Sequence, residues 1–504
     1  MDQKPIKKIV FIEPKAPGYH IYLKWGLPRL GTIILGTILK QHGYDVKIFV
    51  EEIKPIDFEE LFNADVVGIS TITSTAPRAF EIANQVRKAG IPVFMGGPHV
   101  TFLPEEALKY ADYVVRGEAE DTIVDLIKAL ETGTGIEKIP GLSYQMGHHI
   151  RHNEIPPFCA DLDKYPIPDF SLIHGYNDAD NQYEITPIQT SRGCPFDCNF
   201  CSVTEMFGKR YRYRSNDHVI QEIKEKKPEW IFFYDDNFTA NKKRAKDFLQ
   251  RMINENLVVP WSAQVRTDIV KDLELMELLK KSKCRQLYIG FESINPKALE
   301  EFKKSQSVDE IKEAIKIIHR YGIKIHGMFI FGAEHDDLDT FRKTVKFAKK
   351  MQIESVQFMI LVPLPGTQLY HNIEKEGRLI PCDWSYYDGH HVVFKPNKIS
   401  MLDLQVETVR SMIRFYSVRQ ILAGLNRFDI WTMLIRAYGY RFMRKWRKSN
   451  FEFVDQLKQF YQHAGNELHS AGHKIELKAR KTTDDLIEAY QKYRPHIKSK
   501  MKSR

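Results

Sequence analysis

The sequence predicts an α/β protein: an N-terminal doubly wound, Rossmann-like parallel sheet, then a partial (β/α)6 barrel, then a helical C-terminal region. Three observations predict it. Short β-branched runs alternate with helical patterns over roughly the first 135 residues. A polar stretch punctuated by Pro156, Pro157, Pro166 and Pro168 interrupts them. A second alternating series follows, and strand signals fade after about residue 398. The expected units are 1–137 for the first sheet, 138–180 for a linker that wraps rather than folds alone, 181–398 for the barrel and 399–504 for the helical region.

In order, the first unit has candidate strands at 9–12, 46–50, 66–70, 93–95 and 113–115, with helical patterns near 28–42, 76–89, 104–110 and 119–131. Such alternation implies an open parallel sheet whose ligands sit beyond the carboxyl ends of the strands. The second series has strands at 185–189, 230–234, 261–265, 287–291, 324–330 and 356–361. Six βα repeats suggest a curved sheet, with chemistry again at the strand C-termini. The tail carries a stripe of Phe428, Trp431, Ile435, Tyr438 and Phe442 at three- and four-residue spacing, flanked by Arg436, Arg441, Arg444, Lys445, Arg447 and Lys448.

Composition narrows the class. Over 504 residues, 43% hydrophobic and 28% charged residues exclude wholesale disorder and allow a large core. No apolar run reaches the roughly 18 residues that span a bilayer, and the first 12 residues lack the features of a signal peptide, so a cytoplasmic protein is expected. The net charge of +9 is uneven: residues 401–504 hold 21 Lys+Arg against 10 Asp+Glu, leaving 53 against 55 for the first 400. Six cysteines are too few for a disulfide framework in so long a chain, and three of them lie within eight residues.

Those three occupy Ser191-Arg192-Gly193-Cys194-Pro195-Phe196-Asp197-Cys198-Asn199-Phe200-Cys201, just after the first strand of the second series. Soft thiolates suit zinc or iron–sulfur clusters. A structural zinc site wants four protein ligands, and no fourth Cys or His follows at zinc-finger spacing; a zinc knuckle completed by a distant ligand is the competing reading. Three thiolates on a four-iron cluster leave one iron open. The spacing Cys-x3-Cys-x-Phe-Cys resembles that of the radical S-adenosylmethionine (SAM) superfamily. The resemblance implies a [4Fe-4S] cluster on Cys194, Cys198 and Cys201, SAM chelated to the open iron, and a 5′-deoxyadenosyl radical that abstracts hydrogen from carbon.

Further strand ends are similar to family motifs, and the resemblance implies SAM contacts from Phe200, from Asp235, Asp236 and Asn237, from Arg266, from Glu292 and Ser293, and from Gly327 and Gly332. Each has a plainer reading: an Asx turn or helix cap for Tyr234-Asp235-Asp236-Asn237, a surface ion pair for Arg266, close packing for the glycines. No residue is assigned a catalytic role. Cys159, Cys284 and Cys382 are too dispersed for a second cluster and read as buried thiols.

A doubly wound domain ahead of such a barrel resembles cobalamin-binding domains. The residues that carry this are Ser70 and Thr71, then Gly96, Gly97 and Pro98, then Gly117 and Glu118, which end three successive strands and would line one crevice. The Asp-x-His-x-x-Gly motif that brings a histidine to cobalt in many such domains is absent; His20, His42 and His99 lack its spacing and read as ordinary histidines. The absence implies a cobalt without a protein histidine below it. With no cysteine before Cys159, the chain departs from the methylthiotransferases that act on transfer RNA.

The basic tail has three readings: helices packed on the barrel with a solvated basic face, an interfacial membrane helix, or a nucleic-acid surface. No RNA-binding signature is found, so nucleic acid is not expected as a partner; packing on the barrel and peripheral membrane contact through the tail both stay open, the membrane surface being favoured over nucleic acid. Domain order and tail character resemble cobalamin-binding radical SAM proteins that modify lipids or isoprenoid-like molecules, such as hopanoid methylases. The expected function is C-methylation of an unactivated carbon of a lipid or isoprenoid-like small molecule, with a reductant such as flavodoxin or ferredoxin. The alternatives are ring formation or rearrangement without methyl transfer, and a non-catalytic corrinoid or cluster sensor.

Overall fold

The computed structural model describes residues 5–18, 27–176, 178, 185–380, 382–423 and 429–470, with side chains described as far as residue 462. His20 and Phe428 lie outside the described residues. In the first unit β1 (Lys8–Glu13), β2 (Asp45–Val50), β3 (Val66–Ser70), β4 (Val93–Gly96) and β5 (Tyr113–Val115) are parallel in the order β2-β1-β3-β4-β5. The strands are apolar on both sides because helices cover both faces. Ile9 and Phe11 enter a core with Ile33, Ile34 and Leu39 of the helix Leu30–Gln41, while Val10 and Ile12 meet Ala79, Ile82 and Val86 of the helix Ala76–Lys88. The order reverses between β1 and β3, so the loops leaving them diverge and open a crevice at the strand ends.

The stretch read as linker differs in part. β6 (Leu142–Met146) and β7 (His149–His152) form an antiparallel hairpin that extends the sheet beyond β5, turning at Gly147 with φ of 60°. β7 is exposed along its whole length, so no hydrophobic alternation marks it in the sequence. The chain beyond it does wrap: Leu162, Tyr165, Phe170 and Leu172 lie on the core of the first sheet.

The second unit contains β8 (Ile185–Ile188), a short ribbon of β9 (Ser191–Arg192) and β10 (Arg212–Tyr213), then β11 (Trp230–Phe233), β12 (Trp261–Val265), β13 (Cys284–Glu292), β14 (Lys324–Phe331) and β15 (Ser355–Ile360). The six long strands are parallel and neighbours in chain order, which gives a half-open barrel. Period-two alternation sends Ile231, Phe233, Ala263, Ile289 and Ile325 into the core shared with the helices. The alternate positions Phe232, Tyr234, Gln264, Tyr288 and His326 line the concave side, where Phe232 meets Tyr288 at 5.6 Å and Tyr288 meets His326 at 4.9 Å between ring centroids. Several helices of this unit start on local caps, such as Asn241 before Lys242–Asn254 and the capping box of Ser307 and Glu310.

The helices Met401–Phe415, Ile430–Ser449 and Phe451–Ser470 follow the barrel. Tyr416 closes the edge of β15: its hydroxyl donates to the Val356 carbonyl (2.7 Å) and accepts from the Val356 amide (2.8 Å). Arg436 donates to the carbonyls of Ile353 and Glu354. The face of Ile430–Ser449 that packs inward carries Thr432, Arg436, Met443 and Trp446, so the expected aromatic stripe is divided, with Phe442 buried and Trp431 and Tyr438 outward. Among the described residues no helix is long and apolar enough to cross a membrane.

Candidate active site between two strand-end rims

A cavity of about 310 Å³ lies between the two units. Its walls include Arg29, Ser70, Gly96, Gly97, Pro98, Gly117 and Glu118 from the first sheet and Gln189, Arg192, Met206, Phe207 and Tyr234 from the barrel. Of the residues expected in this crevice only Thr71 is withdrawn: it is fully buried, and its hydroxyl donates to the Gly96 carbonyl at 3.1 Å. Gly97 is dictated by the protein, since its φ is 99° and a Cβ there would stand 2.4 Å from the Thr71 carbonyl oxygen. Gly96 is different. A Cβ there would meet only the Val115 carbonyl at 3.7 Å, so the protein's own packing does not require the glycine, and the space it leaves belongs to the cavity. The Arg29 guanidinium donates to Glu13 and to the Ser70 carbonyl, while its Nη1 is buried with no partner among the described residues. A cradle of small residues with one unsatisfied donor fits a flat, polar-edged group such as cobalamin.

The cysteine loop leaves β8 and is braced from three sides. Asp235, fully buried at the end of β11, accepts from the Thr190 amide (2.6 Å), the Thr190 hydroxyl (2.5 Å) and the Ser191 amide (3.1 Å). Arg244 donates to the Thr190 hydroxyl and carbonyl. Further along, the Asn199 side chain donates to the Glu301 carbonyl and its own carbonyl accepts from the Leu369 amide. Gly193 adopts φ of 81°, and a Cβ would lie 2.8 Å from the Arg210 carbonyl oxygen.

Both oxygens of Asp235 are engaged by the loop, so this residue is placed as its brace. Asp236 is placed nearer the thiols: burial, then the neighbouring Asp235, push its carboxyl up to about 7, against a hydrogen bond from the Gly193 amide. Burial pushes the Cys201 thiol up to about 12 and raises Cys194 as well, and Asp236 adds to both. Thiolates here need a positive partner, which the irons of a cluster supply. Among the described residues no three His, Cys, Asp or Glu side chains converge on a site for a single metal ion.

Other expected residues surround this loop. The Arg266 guanidinium lies 3.7 Å from the centroid of the Phe196 ring and has no carboxylate partner among the described residues. Phe200 packs edge-on against Phe302 at 5.1 Å. Glu292 sits at a bulge in β13 with φ of 59° and pairs with Lys304 at 2.9 Å, both side chains buried. Ser293 accepts from the Asn295 amide, and Asn237 is buried with Thr239 beside it. Gly327 is placed for packing, as a Cβ would come 3.1 Å from the Phe291 ring. Gly332 (φ 109°) lies under Leu404, and its amide donates to Asp336. Outside the loop, Cys284 is buried, whereas Cys159 and Cys382 are partly exposed.

Sequence reading missed a buried ion-pair network at the cavity wall. Arg192 donates to Glu118 (3.2 Å) and Glu120 (2.6 Å), and Arg212 forks onto Glu118 with both contacts at 2.7 Å. The partners are more than 70 residues apart, and no local spacing announces them.

Comparison with known proteins agrees with this geometry. The family model for the radical SAM superfamily matches residues 188–348, and that for the B12 binding domain matches residues 25–127. An uncharacterised methyltransferase of Pyrococcus horikoshii is 33% identical over 410 residues, covering 78% of this chain and 89% of that protein. Bacteriochlorophyllide d C-12(1)-methyltransferase of Chlorobaculum tepidum is 28% identical over 88% of this chain and 95% of its own. An anaerobic magnesium-protoporphyrin IX monomethyl ester cyclase of Cereibacter sphaeroides is 28% identical over 81% and 70%. The fold is that of the radical SAM methyltransferase TsrM from Kitasatospora setae, solved with cobalamin and a [4Fe-4S] cluster: the TM-score is 0.64 at 16% identity, covering 88% of this chain and 99% of that one.

Proposed function

The chain belongs to the radical SAM superfamily, in the branch that also carries a B12-binding domain, and on that premise we propose a C-methyltransferase acting on an unactivated carbon of a hydrophobic small molecule. The observation that carries the reading is the shared cavity, which brings the glycine-lined rim of the first sheet and the base of the cysteine loop onto one space. When bound, the cluster and SAM supply hydrogen-abstracting radical chemistry and cobalamin supplies the methyl group.

The protein's part is placement. Cys194, Cys198 and Cys201 hold the cluster, with Asp235 fixing the loop that presents them. Arg266 pairs the SAM carboxylate, and Asp236, Asn237, Glu292 and Ser293 form the polar rim around it. Ser70, Gly96, Gly97, Pro98, Gly117 and Glu118 form the corrinoid wall. The substrate lies toward Phe232, Tyr234, Gln264, Tyr288 and His326, a neutral and largely aromatic lining suited to an apolar molecule. An apolar lining does not separate an isoprenoid-like chain from the bacteriochlorophyllide and magnesium-protoporphyrin substrates named for the Chlorobaculum and Cereibacter relatives. A flavodoxin- or ferredoxin-type protein supplies electrons, and the outward apolar residues of the C-terminal helices meet an anionic membrane surface.

Anaerobic purification should give about four irons and one corrinoid per chain. Cys198→Ala should abolish 5′-deoxyadenosine formation from SAM while leaving hydroxocobalamin binding measurable; cleavage retained without a cluster overturns the assignment. Methyl-labelled SAM should leave its label in a product formed from cell extract. A new product without label establishes ring formation or rearrangement instead.

A further inference from the structure

We infer that Arg192 is a positioning residue that couples the corrinoid crevice to the cysteine loop, an inference that rests on reading the crevice as the cobalamin site. Arg192 and Arg212 are direct cross-strand partners in the β9–β10 ribbon. Like charges in that position repel, and here both side chains are buried, at 7% and 2% exposure. Their compensation comes from the other unit. Glu118 Oε1 accepts from both arginines, Glu118 Oε2 accepts from Arg212 again, and Glu120 accepts from Arg192. Two cations of the barrel are therefore balanced by two anions on the loop after β5. The ribbon that carries the cysteine loop keeps its charge balance only while that loop is in place.

Both ends of this network reach a cofactor site. Glu118, Glu120 and Arg192 all line the cavity, so a group lodged there bears on the network. On the other side a single residue separates Arg192 from Cys194, and that residue, Gly193, runs close enough to the chain after the loop that a Cβ on it would stand 2.8 Å from the Arg210 carbonyl oxygen and 3.0 Å from that of Gly208. Coupling between sites is reciprocal: if corrinoid shifts the loop toward its cluster-holding state, the cluster tightens corrinoid binding by the same factor.

The test uses the full chain, purified anaerobically, with hydroxocobalamin as probe. Its affinity is measured by equilibrium dialysis for protein with a reconstituted cluster and for protein stripped of iron. Wild type should bind about fivefold or more tightly with the cluster present. Arg192→Lys keeps the charge but cannot fork between two carboxylates, and should bring the ratio of cluster-loaded to stripped affinity to about one, whatever it does to the affinity of the stripped form. Glu120→Gln, a near-isosteric change made in the first unit, removes one of the two anions that compensate Arg192 and should lower the ratio; it covers the case in which Arg192→Lys fails to fold. A ratio of one in wild type, or a ratio unchanged in both variants, overturns the coupling. Absence of hydroxocobalamin binding by iron-loaded wild type overturns the corrinoid reading itself, an outcome distinct from equal affinities.

Discussion

His326 shows how much one lumen residue controls. Burial pushes its pKa down to about 4 from an ordinary 6.5; it bonds Ser355 at 2.9 Å and faces the neutral Tyr288. The folded protein therefore keeps it uncharged where the unfolded chain binds a proton. Above about pH 6.5 it has no effect on stability, and as the pH falls toward 4 stability is lost, by about 2 kcal/mol at pH 5. Denaturant unfolding at pH 7 and pH 5 should show His326→Gln losing about 2 kcal/mol less than wild type between the two; an equal loss rules out this residue as the source. Legibility at this scale depends on register. The three cysteines are readable because cluster chemistry fixes their spacing. Asp235 and Asp236 are readable as a pair just beyond β11, but which one braces the loop through Thr190 and Ser191 and which lies by the thiols is set by contacts that form only in the fold. Arg192 stands in the cysteine motif two residues before Cys194, yet its role is not legible there because Glu118 and Glu120 reach it only through the fold.

Among the elements, the helix Ile430–Ser449 owes its seat to one glycine. A Cβ on Gly439 would lie 2.5 Å from the Tyr416 ring, the same ring whose hydroxyl closes the β15 edge at Val356. Gly439→Ala would favour an isolated helix by about 1 kcal/mol, but the rigid aromatic ring cannot yield without breaking two hydrogen bonds, a cost of about 2 to 3 kcal/mol. The variant should melt earlier and be cut first between 416 and 450 in limited proteolysis; a raised melting temperature would show that the ring moves freely. The βα repeats were legible because buried parallel strands are short apolar runs and their helices carry a 3.6-residue pattern. The β6–β7 hairpin escaped because an exposed edge strand such as β7 has no core to write a pattern into it. The tail helix was legible as a helix but not in rotation: aromatic spacing pointed to one stripe, while the small Gly439 and the carbonyl-seeking Arg436 selected another.

Across the whole molecule, the near-neutral body and basic tail acquire a geometry. Tyr416, Arg436 and Trp446 are buried against the barrel, so removing residues 401–504 would strip the β15 edge and could not report on lipid binding alone. The outward residues can. Val418, Leu422, Ile430, Trp431 and Leu434 are each more than half exposed. Basic residues cluster on this side: burial lowers the pKa of Lys349, and Arg419, Arg436 and Arg414 lower it further. Exposed aliphatic and Trp side chains near a cluster of basic residues suit an anionic headgroup boundary. Trp431 stacks on Trp230 at the start of β11, and Asp429 pairs with Lys324 at the start of β14. The patch thus lies at the opposite end of the strands from the cysteine loop, and a membrane contact there leaves the mouth facing away from the bilayer, open to reductant and substrate. Each of two anchors contributes about 1 kcal/mol of apolar burial. Trp431→Ser with Leu434→Ser should therefore reduce cosedimentation with phosphatidylglycerol vesicles about tenfold or more, leave iron and corrinoid content unchanged, and lose its effect on phosphatidylcholine vesicles, which wild type should bind weakly. Wild type that ignores phosphatidylglycerol, or a double variant that binds as wild type does, removes the membrane from this protein's partners.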